Sequence, residues 1–185
     1  LQLLHLLLAP LFVAAFAAVL GAMVSMPTAG QLLVQKICDY RLHLVASRHY
    51  LKDHPPITRL EDLKGHKMIG YIPDMIFDKE LDYLGDLGAG RVPLASNSVV
   101  VQLNWLRLGA GVGIVHDFAL PFAPDLTRIL RDRFSLTRSF HLVRHEDDAR
   151  LERMNRFATL LSDGLRREVT HLEGELDKQP RATDA

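Results

Sequence analysis

Residues 95–119, ASNSVVVQLNWLRLGAGVGIVHDFA, decide how this chain is read. Ser96, Asn97 and Ser98 each suit the cap of a helix, because a short polar side chain can accept from the unpaired N–H groups of the first turn. The run VVVQLNWLRLG that follows is apolar on nearly every face, which predicts a buried helix. Gly109, Gly111 and Gly113 stop that helix and lead tightly into a strand, VGIVHDFAL, carrying His116 and Asp117. The helix start offers backbone N–H groups to an anion. In a parallel sheet it would share a crevice with the strand end, since ligands gather outside the carboxyl ends of strands. The bland alternative is ordinary capping of a core helix. GAGVG at 109–113 is not a dinucleotide fingerprint: that motif follows a strand and opens a helix, and here the order is reversed.

Working outward, Tyr40, Leu42, Leu44 and Ala46 alternate with Asp39, Arg41 and His43, which predicts a strand. Residues 48–51 read as one helical turn, ended by DHPP at 53–56. Thr58 stands three residues before Glu61, a capping-box spacing, with Gly65 as the stop. KMIGYI (67–72) and RVPLAS (91–96) are short strands. Between them, residues 73–90 form a loop and a short helix closed by Gly88 and Gly90. PFAPDLTRIL (121–130) enters a brief strand and SLTRSFHLVRH (135–145) a longer one. The clearest helix is 146–169, with an apolar stripe of Leu151, Met154, Phe157, Leu160, Leu161, Leu165 and Val169 and acidic residues in its first turn. The last ten residues are polar and expected to fray. Strands alternating with helices from about 40 to 170 give an α/β sheet.

Charge and cysteine content exclude several classes. Lys plus Arg and Asp plus Glu both number 22, so the chain lacks the basic excess of a domain that grips nucleic acid directly. Cys38 is the single cysteine, which excludes an internal disulfide and a multi-cysteine metal site and agrees with a reducing compartment. No charge precedes Lys36, and LQLLHLLLAPLFVAAFAAVLGAMVSM at 1–26 is apolar enough to span a membrane on hydropathy alone. It has no basic n-region, no flanking Lys or Arg, and Pro10 inside it, and the chain opens on Leu, so the true start is expected upstream. HLLLAPLFVAAF reads better as a buried helix and VLGAMVSM as a buried strand, with MPTAG (26–30) as a loop.

Chemistry-bearing motifs are few. His141 and His145, followed by Glu146, Asp147 and Asp148, have helical metal-ligand spacing, but they sit on a strand, so the rings need not converge. The acids suit the start of the next helix. No GxSxG elbow is present, and nothing near Cys38 marks it as a nucleophile. An α/β enzyme pairing His116 with Asp117 lacks the remaining groups of a catalytic set. The expectation is no catalytic residues, no metal and no cofactor.

Three segments in order, 32–72, 96–118 and 136–165, resemble the effector-sensing domain of LysR-type transcriptional regulators. The resemblance rests on the crossover strand and ASRHYL helix, the helix–glycine–strand element SNSVVVQLNWLRLGAGVGIVHDF, and the final strand and returning helix. Together they cover about residues 31 to 172. The fold it implies is α/β and periplasmic-binding-protein-like (type 2), with two lobes, crossover strands and an incomplete first lobe. Residues 1–39 would be a partial first lobe, 40–134 the second lobe, 135–175 the strand and helix returning to the first, and 176–185 a disordered tail.

The function implied is effector sensing: a small-molecule metabolite held in the cleft between lobes, with the change passed to an N-terminal winged helix-turn-helix absent from this chain. Matching positions for effector contact are Ser96, Asn97 and Ser98 at the helix start, Tyr71, Ile72 and Asp74 after the cleft-facing strand, and His116 after the glycine turn. Asp74 disfavours a carboxylate unless it points away. A homodimer or tetramer, working in the cytoplasm and without a membrane partner, is expected. The alternative is a membrane-tethered or secreted solute-binding protein of the same fold.

Overall fold

The computed structural model describes residues 20–23, 32–76, 81–87 and 92–178. The expected helix in 1–19, the MPTAG loop, Gly88, Gly90 and the chain from 179 lie outside them. Strands are β1 (Leu20–Met23), β2 (Leu32–Ser47), β3 (Met68–Gly70), β4 (Leu94–Ala95), β5 (Val112–His116), β6 (Leu126–Arg128) and β7 (Leu136–His145). The α-helices are α1 (Arg48–Asp53), α2 (Val99–Arg107) and α3 (Glu152–Asp177). The chain divides into two compact units, one drawn from Leu1–Asp39 and Ser139–Glu168, the other from Tyr40–Arg138 and Val169–Ala185.

In the first unit the strand order is β1, β7, then β2. β1 runs antiparallel to β7, with Leu20 opposite Arg144 and Met23 opposite His141. Ile37, Leu142 and Ala158 form its buried centre, against which Cys38, Phe140, Met154, Leu161 and Leu165 pack. The face of α3 that packs is therefore 154, 158, 161 and 165, spaced by four, three and four residues. Leu160, placed in the expected stripe, is 63% exposed, and Leu151 and Phe157 are exposed as well. At 3.6 residues per turn, Leu160 lies about 120° from Met154, so an apolar side chain there cannot reach the same core. The acids expected at the helix start occupy a separate 3₁₀ turn, Glu146–Arg150.

In the second unit β2, β5, β3 and β4 lie in that order, with β6 on the other edge of β2. β5 is antiparallel to β2, Leu42 facing His116 and Ala46 facing Val112. It is parallel to β3, which is parallel to β4. The sheet is thus mixed, but β3, β4 and β5 all deliver their carboxyl ends to one edge. Gly111 and Gly113 are required by the β3–β5 approach. A Cβ at Gly111 would strike the Lys67 carbonyl oxygen, and one at Gly113 would meet that of Ile69 at 2.9 Å. Gly109 supplies the left-handed turn, φ +73°, that ends α2.

The core gathers Val45, Ile69, Leu106, Val115, Leu120, Ala123, Leu126 and Leu176, with Leu103 and Trp105 of α2 packed against it. Three details differ from expectation. His43, on the polar face of β2, is buried, because the 3₁₀ segment Asp117–Phe122 and the end of α3 cover that face. α2 is not buried all round: Gln102 and Leu106 are buried while Val100, Val101 and Leu108 are exposed. α3 runs through Asp177, two residues into the segment expected to fray, and Leu176 is buried.

Residues 60–65 form a 3₁₀ helix whose capping acid is Asp62, one residue past the expected Glu61. Its carboxylate accepts from the N–H groups of Thr58 (2.9 Å) and Arg59 (3.1 Å). Those bonds, Thr58's first, hold its pKa at about 2. Among the described residues no helix is long and apolar enough to cross a membrane.

Candidate ligand-binding site

The site is built where β3 and β4 end. Gly70 closes β3 because a Cβ there would sit 2.5 Å from Leu84 Cδ1, so the absence of a side chain lets the 81–87 segment fold onto the strand. Beyond it Tyr71 and Ile72 lead into the 3₁₀ turn Pro73–Met75. Asp82 Oδ1 accepts from Gly85 N–H at 3.0 Å, fixing the turn that carries Tyr83 and Leu84. Between these pieces and the first turns of α2 lies a cavity of about 570 Å³. Tyr71, Asp82, Tyr83 and Gln102 line it, with an aliphatic wall that includes Ile69, Leu84 and Ile114.

Gln102 enters the wall because its amide is tied to the β4 exit. Its Nε2 donates to the Ser96 carbonyl at 2.6 Å, while Ser96 N–H donates to the Gly70 carbonyl at 3.0 Å. Ser98 is the N-cap of α2, its Oγ accepting from Val101 N–H at 3.4 Å. Ser96 Oγ accepts from Ser98 N–H at 3.1 Å. The two hydroxyls thus hold the β4–α2 corner in shape. Asn97 is exposed, its Nδ2 3.4 Å from Met75 Sδ.

Two aromatic groupings flank the cavity. The Tyr71 and Tyr83 rings meet edge to face, centroids 5.8 Å apart. Burial raises the Tyr71 phenol, and burial, with the Tyr40 and Tyr71 hydroxyls nearby, raises that of Tyr83 further, so both are protonated at neutral pH. His116 sits among Phe118 (5.1 Å), Tyr40 (5.4 Å) and Tyr83 (6.2 Å), measured between ring centroids. Burial there lowers its imidazole to about 4, with Asp117 pulling the other way, so it is neutral at physiological pH.

Of the sequence-derived positions, Tyr71 alone lines the cavity. Ser96 and Ser98 shape its corner. Ile72 is half-buried at the start of the 3₁₀ turn, Asp74 is exposed on it, and His116 reaches the cavity only through its contact with Tyr83. Sequence reasoning missed Asp82, Tyr83 and Gln102. Only Gln102 left a signal, a polar residue four places after the cap within the apolar run VVVQL.

The His116–Asp117 pairing does not form. Asp117 is fully buried and turned to other partners, Oδ1 at 2.8 Å from His43 Nδ1 and Oδ2 at 3.0 Å from an Arg128 N–H nitrogen. The network continues outward: Asp177 pairs with Arg128 and Arg41, and Arg41 Nε donates to Glu173 at 3.0 Å. Every acid in it faces a base that holds the end of α3, which is a structural use. His145 does not join His141 at a metal: its Nδ1 accepts from Asp147 N–H at 3.2 Å, and no three candidate ligands converge among the described residues.

Comparison with known proteins places this geometry. The family model described as LysR substrate binding domain matches residues 19–166. No curated protein sequence matches the chain. Among solved structures it is similar to the regulatory domain of CrgA, a LysR-type transcriptional regulator from Neisseria meningitidis. That match has a TM-score of 0.65 and 20% identity, and covers 95% of this chain and 94% of that one. It is also similar to the regulatory domain of an AphB variant from Vibrio vulnificus (TM-score 0.61, 19% identity, 80% and 86% covered). A cysteine mutant of Corynebacterium glutamicum OxyR gives 0.62 at 18% identity, covering 94% of this chain and 56% of that one. The fold is that of the type 2 periplasmic-binding-protein-like regulatory domains, and the chain belongs to the LysR substrate-binding-domain family.

Proposed function

We propose that this effector-binding domain takes up a small molecule at the cavity below Tyr71 and passes the change to a separate DNA-binding domain of a transcriptional regulator. The observation that supports the reading is the cavity of about 570 Å³ at the carboxyl ends of parallel β3 and β4. That position is where open α/β sheets bind ligands, and the volume lies within the usual range for small-molecule sites. Tyr71 is the first proposed contact, and Tyr83 and Gln102 join it from the cavity wall. Ile72, Asp74, Ser96, Asn97, Ser98 and His116 stand around the same strand ends and are proposed to shape or border the bound state. The bound molecule acts by favouring one arrangement of the domain over another, so signal size equals its difference in affinity for the two. The domain works in this reading as a cytoplasmic homodimer or tetramer and catalyses nothing.

Calorimetry with a panel of small metabolites on the wild type, Tyr71→Leu and Ser98→Ala tests this. At least one compound is expected to bind the wild type and to lose about tenfold in affinity on Tyr71→Leu. Equal binding by all three proteins would remove the cavity from the function. Binding by no compound of the panel would count against the reading.

A further inference from the structure

We propose that His54 and His66 form a two-imidazole site for a borderline divalent cation, taking Cu²⁺ most tightly. The site lies in the second unit, at the end of α1, and its test does not depend on the effector reading of the cavity.

Tyr50, the buried residue of α1, arranges both imidazoles. The His54 ring stacks on the Tyr50 ring, centroids 3.8 Å apart and planes within 17° of parallel. Its Nδ1 lies 2.9 Å from the Tyr50 carbonyl oxygen. A carbonyl only accepts, so Nδ1 carries the proton and Nε2, across the ring, keeps the lone pair. His66 brings its own Nδ1 to 3.0 Å from the Tyr50 phenol oxygen. A hydroxyl can accept as well as donate, so it accommodates the tautomer that leaves Nε2 of His66 unprotonated. Metal-bound imidazoles are held in this manner, one ring nitrogen on a fixed protein group and the other on the ion.

The two rings are 6.2 Å apart between centroids, the one contact between histidine rings among the described residues. Two imidazoles sharing an ion at about 2.1 Å each place their centroids about 4.5–6.5 Å apart. His54 is exposed and can pivot to close the chelate. Burial first, and the neighbouring His54 next, hold His66 below its ordinary pKa, so it is neutral and able to ligate at physiological pH. The surrounding charge is mixed: Asp62 favours a cation at His66, whereas Lys64 and Lys67 are exposed beside it. Chelation by two nitrogens, not local charge, therefore supplies the affinity. That favours imidazole-seeking ions over Mg²⁺ and Ca²⁺, and Cu²⁺ over Ni²⁺ and Zn²⁺. No third ligand converges among the described residues, so water completes the coordination. His49, His145 and His171 are weaker competitors, because each sits beside a single exposed carboxylate, of Asp53, Asp147 and Glu175 respectively.

Substoichiometric Cu²⁺, added to the nitrogen-labelled full chain, maps the site by paramagnetic broadening. Amide signals of residues 50–54 and 64–67 are expected to fade first. In calorimetric titrations His54→Ala and His66→Ala are each expected to weaken Cu²⁺ binding at least about tenfold. A large excess of Mg²⁺ is expected to leave it unchanged. Should His66→Ala fail to fold, the broadening map of the wild type and the His54→Ala titration carry the test. Broadening that begins at another histidine, displacement by Mg²⁺, or equal affinity in all three proteins would overturn the site. Loss in only one of the two folded variants would show a single-imidazole contact and overturn the chelate.

Discussion

His43 Nδ1 lies 2.8 Å from Asp117 Oδ1, and neither side chain is accessible enough for water to replace the other. Asp117 also accepts from Arg128, whose side chain is 5% exposed, so one buried carboxylate neutralises a guanidinium beneath the end of α3. Removing it takes the buried acceptor from both His43 and Arg128 and leaves Arg128 only the half-exposed Asp177 as counter-charge, which costs more than the pair contributes. Asp117→Ala is therefore expected to destabilise the protein by about 3–5 kcal/mol in urea unfolding. Arg107→Ala breaks the exposed pair with Asp125 and is expected to change stability by less than about 1 kcal/mol. Equal effects from the two would show that burial does not govern these ion pairs.

His116 gives the stability a defined acid limb. Unfolded, its imidazole titrates near the ordinary 6.5, and folded it is held at about 4 by burial. Between those values the unfolded chain binds a proton that the folded chain refuses. The contribution of this group is complete above pH 6.5, falls as the pH drops, and levels off below about 4. His66, lowered by its own burial and by His54, adds to the same limb. His116→Phe, which keeps the aromatic contacts, is expected to flatten the loss between those pH values in a series of urea titrations. An unchanged slope would place the acid sensitivity elsewhere.

The glycines divide into two kinds that alanine separates. Gly111→Ala drives a Cβ into the Lys67 carbonyl, a backbone atom that cannot swing aside, and is expected to cost about 1–3 kcal/mol. Gly164 and Gly174, inside α3, have nothing within 4 Å of an added Cβ. Each alanine there is expected to stabilise by about 0.5–1 kcal/mol, because glycine gives up more freedom in a helix. Thermal melts of the three single variants check the signs.

The last turn of α3 is held by its apolar contact more than by its charges. Leu176 is buried in the second-unit core, and Leu176→Ala is expected to lose about 2–5 kcal/mol. Asp177 pairs with Arg41 and Arg128, but its side chain is 45% exposed, and Asp177→Ala is expected to lose only about 1 kcal/mol. Denaturant midpoints for the two variants decide between them.

The elements that position the site were readable wherever local rules suffice. Alternation marked β2, Ser98 and the glycines bounded α2, and Pro and Gly punctuated β3, β4 and β6. What stayed hidden depends on which face another segment covers. The run VVVQLNWLRLG shows no polar face, so it reads as wholly buried, yet the sheet covers only the side of Gln102 and Leu106. His43 reads as solvent-facing because Asp117, its partner, lies 74 residues away. Tyr83 reaches the cavity only because Gly70 admits Leu84 onto β3, a juxtaposition that no spacing in the sequence announces. On α3 the error was one of phase: apolar residues outnumber the places on the packed face, and periodicity alone did not say which were left over.

Trp105, the chain's one tryptophan, packs against the core formed by Val45, Ile69, Leu106 and their neighbours, all in the second unit. The indole is thus a built-in optical probe of the second unit's core, whereas circular dichroism sees the helix residues of both units. Melting curves recorded by the two signals on the same untouched sample will superimpose if the units unfold together and separate if they do not. The two-part organisation of the chain can in this way be measured without a label or a substitution.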